Sequence, residues 1–216
     1  DSPLQNAFWQ NNICIWQPTT ASNGLWLGTA PASAGTYATV LPTSTSLYTA
    51  MKRGRWSNIA TTANQVLTQR SLELMYFLGN SAGMGGFFFY TRMGFDTWTD
   101  GGRLFAGLFN GNSLIQSDPS TVNNNIGFAV DVADNGLIYF QTKGTGAAVR
   151  TSTGFTITSG SGYDMYIFAA PNSTTVSWRI LEINTGTEAT GSSAVSGPAV
   201  DVMMMAGIQA SNAALT

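Results

Sequence analysis

Two aspartates flank a tryptophan in the segment 95–102, which reads FDTWTDGG. Because side chains alternate between the two faces of an extended chain, Asp96, Trp98 and Asp100 would lie on one side there. A Trp ring stacks on the apolar face of a pyranose, and carboxylates accept hydrogen bonds from its hydroxyls. The same oxygens could hold a calcium ion, and a polar loop whose Trp packs on a neighbour explains the pattern without a ligand. The segment is therefore a candidate binding site with a structural alternative.

A second segment, 52–57 (KRGRWS), combines cations with an aromatic ring. Arg53, Arg55 and Trp56 could contact acidic sugars there, because guanidinium groups and an indole ring bind such sugars through charge and stacking. The structural alternative is a solvated turn in which Trp56 serves as an anchor. We take Arg55 and Trp56 as further candidates for ligand binding.

The chain is poorly supplied with catalytic side chains. It has no His, one Cys, and only 9% charged residues. Nucleophilic Ser and Cys usually recruit a His base, and zinc sites rely on His and Cys. The chain has three Glu and eight Asp, so glycoside hydrolysis by a pair of carboxylates stays possible in principle. The Glu-x-Asp-x-x-Glu spacing of many sandwich-fold glucanases, however, is missing from the sequence. We expect no enzymatic activity, no cofactor and no bound metal.

Charge and hydropathy argue against two classes of partner. The formal net charge is −2 and the nine Lys and Arg residues are scattered, whereas nucleic-acid-binding proteins usually carry a basic stripe that neutralises phosphates. No stretch approaches the roughly 20 apolar residues that span a bilayer. We therefore expect neither nucleic-acid binding nor membrane insertion. The first residue is not Met, which is typical of a fragment or a processed product.

The hydrophobic pattern is that of β-strands throughout. Short aromatic and β-branched runs are separated by Gly, Asn, Pro, Ser and Asp, which is the signature of strands and turns. The predicted strands cover residues 8–17, 25–29, 37–41, 47–52, 65–69, 72–78, 87–95, 103–109, 126–132, 137–142, 147–152, 163–169, 174–183 and 202–210.

Three local patterns are specific. Val176, Trp178 and Ile180 alternate with polar residues, which predicts one buried face for that strand. The run FFFY at 87–90 does not alternate, which favours a central strand buried on both faces. The segment 134–136, Asp-Asn-Gly, accepts the positive φ of a type I′ turn and predicts a hairpin.

Many short strands joined by tight turns predict an all-β fold, an antiparallel β-sandwich or jelly roll. We expect residues 1–60 to form an N-terminal β-rich connecting segment or subdomain and residues 61–216 to form the sandwich, with one single domain as the alternative. So few charged residues would leave edge strands open to pairing. We therefore expect sister chains to cover them in a homotrimer.

Several segments resemble the distal region of tailed-bacteriophage tail fibres. They are 86–98 (GFFFYTRMGFDTW), 103–108 (RLFAGL), 168–180 (FAAPNSTTVSWRI) and 206–216 (AGIQASNAALT). The likeness extends over residues 23–216 and points to a phage of Acinetobacter or a similar Gram-negative host. It implies a C-terminal receptor-binding head, located extracellularly on the virion, with a lectin-like sandwich of the concanavalin class and three identical chains around the fibre axis. It implies no particular binding residues.

These observations predict that the chain attaches a phage to its host by binding a bacterial surface polysaccharide, either lipopolysaccharide or capsule. Two alternatives stay open. The first is a polysaccharide-degrading tailspike enzyme, which would release reducing ends from host polysaccharide. The second is a purely structural virion protein, which would not bind host cells.

Overall fold

The structure is a computed structural model that describes residues 32–33, 36–43, 50, 53–57, 66–70, 74, 76–111, 117–195 and 202–212. The predicted strands at 8–17 and 25–29 lie outside these ranges, as does the predicted strand at 47–52 apart from Ala50. Within the described ranges, no helix is long and apolar enough to cross a membrane.

The described residues form thirteen strands, all paired antiparallel. They are β1 (Ala32–Ser33), β2 (Thr36–Val40), β3 (Arg53–Ser57), β4 (Val66–Arg70), β5 (Phe87–Gly94), β6 (Gly102–Phe109), β7 (Asn125–Val130), β8 (Leu137–Lys143), β9 (Val149–Thr156), β10 (Gly162–Ala169), β11 (Thr175–Glu182), β12 (Glu188–Ala194) and β13 (Met205–Asn212). Short 3-10 turns lie at Pro119–Thr121 and Val132–Asp134.

Two large sheets make up the sandwich. One has seven strands in the order β1-β4-β13-β6-β7-β8-β9, and the other has four in the order β12-β11-β10-β5. A separate pair joins β2 to β3. The predicted all-β sandwich is confirmed. Since β1 belongs to the larger sheet, residues 1–60 contribute a strand to it, while the boundary near residue 60 stays a prediction.

The core lies between the two sheets, where aromatic rings from both meet. The ring of Trp178 stacks on Phe140 at a centroid distance of 5.7 Å, and its edge meets Phe128 at 6.2 Å. Val176 and Ile180 are fully buried on the same face of β11. The alternation in this strand is therefore confirmed, because its apolar residues face the opposite sheet.

The outer face of the seven-stranded sheet is covered as well. Phe105, Phe109, Ala129 and Met205 form a second apolar cluster there, with Val122 against it. The amide of Gln141 donates to the Pro119 carbonyl at 2.9 Å, which holds the connection between β6 and β7 over this face. Strands buried on both faces thus exist in this fold, and they lie in the centre of the larger sheet.

The interpretation of the run FFFY is wrong. Burial alternates along β5, with Phe87 and Phe89 buried but Phe88 and Tyr90 about 40% and 44% exposed. This strand is at the end of the four-stranded sheet, where one face meets the core and the other meets solvent. Because the solvent-facing residues are also aromatic, the alternation of buried and exposed positions could not be recognised from hydropathy.

The strand predictions need correction at other places as well. In the predicted strand 72–78, Tyr76 makes only an isolated bridge to Met204, and no described residue of that segment belongs to a strand. Conversely, β12 was not predicted, because its sequence EATGSSA is polar and poor in strand-forming residues. β3 was not predicted either: the structural alternative for residues 52–57 was a turn, whereas Arg53–Ser57 form a strand paired with β2.

The turn at 134–136 joins β7 to β8 as predicted. Asn135 and Gly136 both have positive φ, 51° and 85°. The connection spans residues 131–136 and includes a 3-10 turn, so it is longer than a two-residue hairpin loop.

Candidate functional site

Loops from both sheets meet at one end of the sandwich. They are the β5–β6 loop (95–101), the β7–β8 connection (131–136), the β9–β10 loop (157–161) and the β11–β12 turn (183–187). Backbone hydrogen bonds tie them together: Gly160 N–H donates to the Phe95 carbonyl at 2.6 Å and Ile157 N–H to the Gly136 carbonyl at 2.9 Å. Loops held by their neighbours in this way form a fixed surface, the usual place for recognition on a rigid scaffold.

Asp96 lies between two arginines of β3 at this end. Its carboxylate oxygens are 3.5 Å from the Arg53 guanidinium and 3.6 Å from that of Arg55. The Arg53 side chain is 14% exposed, Asp96 34% and Arg55 49%. We call these three residues the arginine–aspartate cluster. It presents hydrogen-bond donors beside an acceptor, with a net positive charge.

The structure brings two of the predicted candidates, Asp96 and Arg55, together. Asp100 lies exposed in a turn, residues 96 and 97 form a bend, and no residue from 95 to 100 belongs to a strand. The extended segment expected for Asp96, Trp98 and Asp100 is therefore wrong. Trp56 follows Arg55 on β3, where its backbone pairs with Tyr37, and its side chain is outside the described part of the structure.

Trp98 packs inward from the β5–β6 loop. Its ring meets Phe95 edge to face at 5.0 Å. A Cβ atom on Gly102 or Gly136 would lie 2.9 Å from this ring, so both glycines make room for it. The backbone N–H of Trp98 donates to the Ser159 hydroxyl at 3.0 Å. These contacts match the structural alternative, a polar loop anchored by its Trp. Ligand binding by Trp98 stays a prediction.

A second ionic group at the same end is structural. Arg150 pairs with Asp131 at 3.3 Å and also with Asp134, while its guanidinium carbon lies 4.2 Å above the Tyr139 ring. Burial lowers the pKa of Arg150, but the bond to Asp134 and the two carboxylate charges outweigh burial, so the net shift is upward. Since the side chains of Asp131 and Asp134 are only 9% and 10% exposed, these carboxylates hold the β7–β8 connection.

An aromatic surface was missed by sequence reasoning. On the outer face of the four-stranded sheet, β5 and β10 place Phe88 opposite Phe168 and Tyr90 opposite Tyr166. We call these four residues the aromatic face. The rings of Tyr90 and Tyr166 are 4.8 Å apart at 31°, and Phe88 is 6.4 Å from Tyr166. The aromatic residues at alternate positions of YIF, Tyr166 and Phe168, were the signal that could have revealed this face.

Ion pairs border the aromatic face. The buried carboxylate of Asp164 accepts from Arg92 Nε at 2.6 Å and from the Tyr90 hydroxyl at 3.0 Å. Burial, followed by the Asp164 charge, raises the pKa of Tyr90 to about 12. On β11, Arg179 pairs with Glu188 at 2.5 Å, and its guanidinium carbon is 5.4 Å from the centroid of the Tyr166 ring.

Among the described residues, no group of three or more Asp, Glu, Cys or His side chains is placed to hold a metal ion. The exposed functional groups of the described residues therefore include guanidinium donors, carboxylate acceptors, hydroxyls and aromatic rings. Such groups bind polar ligands by hydrogen bonding and stacking.

No protein-family model matches the sequence, and a search of curated proteins finds no match. Solved structures do match the fold. A protein of unknown function from Shewanella oneidensis MR-1 aligns with a TM-score of 0.56 at 12% identity, over 100% of this chain and 88% of that one. Winged bean acidic lectin, solved with methyl-α-D-galactose, aligns at 0.54 and 11% identity, over 93% and 89%.

The enzymatically active domain of tailspike protein 2 from bacteriophage CBA120 also aligns, with a TM-score of 0.46 at 16% identity, over 93% of this chain and 27% of that one. The matches above 0.5 establish the fold, a lectin-like antiparallel β-sandwich.

Proposed function

We propose that this chain is the receptor-binding tip of a tailed-bacteriophage tail fibre, and that it binds a glycan of the bacterial surface, lipopolysaccharide or capsule, without cleaving it. In this proposal three copies of the chain act together at the end of the fibre. Attachment is then multivalent, and individually weak contacts suffice because linked sites raise the effective concentration at the surface.

The arginine–aspartate cluster is the observation that carries the proposal. A carboxylate accepts hydrogen bonds from sugar hydroxyls, and a neighbouring guanidinium donates to sugar oxygens in a fixed planar arrangement. Arg55 is half exposed and Asp96 one third exposed, so both side chains reach solvent at the loop end. Arg53 is largely buried and fixes the carboxylate from below. The set can hold adjacent hydroxyls of one sugar without moving.

Two further observations support this function. Segments of the sequence resemble phage tail fibres, and the fold is that of proteins such as winged bean acidic lectin, which was solved with a galactoside. The absence from the sequence of the Glu-x-Asp-x-x-Glu spacing of many sandwich-fold glucanases bears on glycoside hydrolysis, which uses paired carboxylates rather than His. It supports binding without cleavage.

The test combines retention and turnover in one experiment. The purified chain is incubated with host cells and with polysaccharides extracted from them, and retention and the release of reducing ends are scored together. We expect retention without release. Failure of the parent chain to bind any host polysaccharide contradicts the proposed function, and release of reducing ends that is lost in Asp96→Asn or Asp100→Asn identifies an enzyme instead.

Variants locate the site. Arg55→Ala removes an exposed donor, and Asp96→Asn removes the negative charge and one acceptor oxygen beside the two guanidinium groups. Each is expected to weaken binding about tenfold, or ~1.4 kcal/mol. The control is Glu182→Gln, the same carboxylate-to-amide change in the strand that leads into the β11–β12 turn, where Glu182 accepts from the Thr185 hydroxyl. Its binding should equal that of the parent.

A further inference from the structure

We propose that the aromatic face is a second glycan subsite, and that it takes uncharged pyranose rings. This inference rests on the proposed function, because it assigns a further part of the same glycan to a different surface. The arginine–aspartate cluster belongs to the loop end, whereas the aromatic face belongs to the outer side of the four-stranded sheet.

The rings of the aromatic face are exposed in a way that folding alone does not explain. Phe88 and Tyr90 are 40% and 44% exposed, although polar residues at these edge-strand positions would leave the buried side of β5 unchanged. Large exposed apolar groups that cluster mark interaction sites. Here two of them stand side by side on one strand, with two half-buried rings on the next.

The shape of the surface fits a single glycan chain. The aromatic rings occupy only β5 and β10, which makes a strip two strands wide. On the next two strands of the same face, the exposed positions Ser177, Thr190 and Ser192 supply hydroxyl groups. Phe88 and Tyr90 are two residues apart, or about 6.6 Å along the strand, a spacing on the order of one sugar residue. A strip of rings bordered by hydroxyls suits a row of pyranoses.

The charges of this face point to a neutral ligand. Arg92 pairs with Asp164 and Arg179 with Glu188, so these side chains balance one another. A charged sugar would have to compete with partners at 2.5 Å in each pair. The paired groups can still exchange hydrogen bonds with hydroxyls, because Arg92, Arg179 and Glu188 are 40%, 45% and 50% exposed.

The side chains are also held in place before any ligand binds. Tyr90 is fixed by its bond to Asp164 and by contact with Tyr166, and Arg179 extends over the Tyr166 ring. Binding therefore immobilises few rotamers, which lowers its entropic cost. The apolar faces of pyranose rings can stack on Phe88 and Tyr90 while the bordering ion pairs and hydroxyls bind the equatorial hydroxyls.

The experiment uses the host polysaccharide that retains the parent chain, immobilised for affinity measurement. Phe88→Ala and Tyr90→Ala are expected to lower affinity about tenfold. Phe88→Tyr keeps the ring and should bind like the parent, whereas Tyr90→Phe keeps the ring but loses the bond to Asp164 and should fall between the parent and Tyr90→Ala. Val149→Ala, a truncation of an equally exposed apolar residue in β9 (42% exposed), controls for a general loss of apolar surface. Thermal unfolding checks that each variant is folded.

Salt separates the two subsites. The affinity ratio of parent to Phe88→Ala should stay constant as salt is raised, whereas the ratio of parent to Arg55→Ala should shrink because salt screens an exposed charge. A Phe88→Ala ratio that falls with salt overturns the assignment to uncharged sugars. A loss in Phe88→Tyr as large as that in Phe88→Ala overturns stacking.

Three further results count against the inference or the proposed function, and they can be told apart. If Phe88→Ala and Tyr90→Ala bind like the parent while Arg55→Ala does not, the aromatic face is not a subsite but the proposed function stands. If light scattering shows that either alanine variant changes the oligomeric state, the face is an interface between copies of this chain. If the parent binds no host polysaccharide, the proposed function itself fails.

Discussion

Asp164 is the group on which the aromatic face depends, and Asp164→Asn is the change that probes it. The carboxylate is 3% exposed and accepts from the Tyr90 hydroxyl and from two nitrogens of Arg92. Asparagine keeps the size of the side chain but loses the charge and one acceptor. Arg92 then faces an amide across the same short distances.

The expected cost follows from these contacts. A hydrogen bond to a charged group contributes about 1.5–3 kcal/mol, and breaking a fully buried ion pair costs about 3–5 kcal/mol. Because Arg92 is 40% exposed, water can replace part of what its guanidinium loses. We therefore expect Asp164→Asn to lower the free energy of unfolding by about 2 kcal/mol.

A second readout of the same variant is the titration of Tyr90. Burial is the first cause of its raised pKa and the Asp164 charge is the second. Without that charge the pKa should fall below about 12 yet stay above its ordinary value, since the burial remains. Tyrosinate absorbance measured against Tyr90→Phe in each background isolates this residue from the other six tyrosines.

The control is Glu188→Gln, the same change on the same face. Glu188 and Arg179 are both about half exposed, so its loss should cost no more than about 1 kcal/mol. Urea unfolding measures both variants. The reasoning is refuted if Asp164→Asn costs no more than Glu188→Gln, or if the Tyr90 titration does not move.

The remaining predictions concern packing and pH. Gly191→Ala should cost about 1–3 kcal/mol in urea unfolding, because its Cβ would lie 2.4 Å from the Trp178 ring, whereas Gly146→Ala, with open space around it, should be close to neutral; equal stabilities would contradict this packing. Tyr90 has a folded-state pKa of about 12 against an ordinary 10, so its contribution to stability is full below pH 10 and is lost as the pH rises through 12. Between those values the parent should lose stability relative to Tyr90→Phe, and parallel curves would exclude this linkage.

Local patterns in the sequence were sufficient to predict much of the fold. The strand around Trp178 alternates cleanly because one face meets the core and the other meets solvent with Ser177 and Arg179. The turn at Asn135 and Gly136 was readable because few residues accept positive φ. Both signals depend only on neighbours in sequence, and the structure confirms both.

Two strands were misjudged for opposite reasons. In β5 the exposed residues are as hydrophobic as the buried ones, so burial could not be read from hydropathy. In β12 the side that faces the core carries the small residues Ala189, Gly191 and Ser193, and Gly191 leaves room for the Trp178 ring. In each strand, the burial of a side chain depends on the element that packs against it, and a single sequence does not reveal that element.

The candidate site shows the same limit. The pairing of Asp96 with Arg55 depends on where β3 lies relative to the β5–β6 loop, and no pattern in either segment specifies that. The expected row of Asp96, Trp98 and Asp100 assumed an extended loop. The loop instead bends, and the partly buried Trp98 ring packs against Phe95, Gly102 and Gly136, so this anchoring helps to fix where Asp96 lies.

Under the proposed function, the two surfaces would act at different steps of recognition. The arginine–aspartate cluster carries a net positive charge at the loop end, so it can steer a polysaccharide toward the protein, and this effect weakens with salt. The aromatic face has balanced charges and exposed rings, so it contributes mainly after contact, by slowing dissociation. Under the proposed function, Arg55→Ala should therefore act mostly on the association rate and Phe88→Ala mostly on the dissociation rate. A division of this kind lets a fibre tip sample a surface quickly and still remain attached when several copies engage.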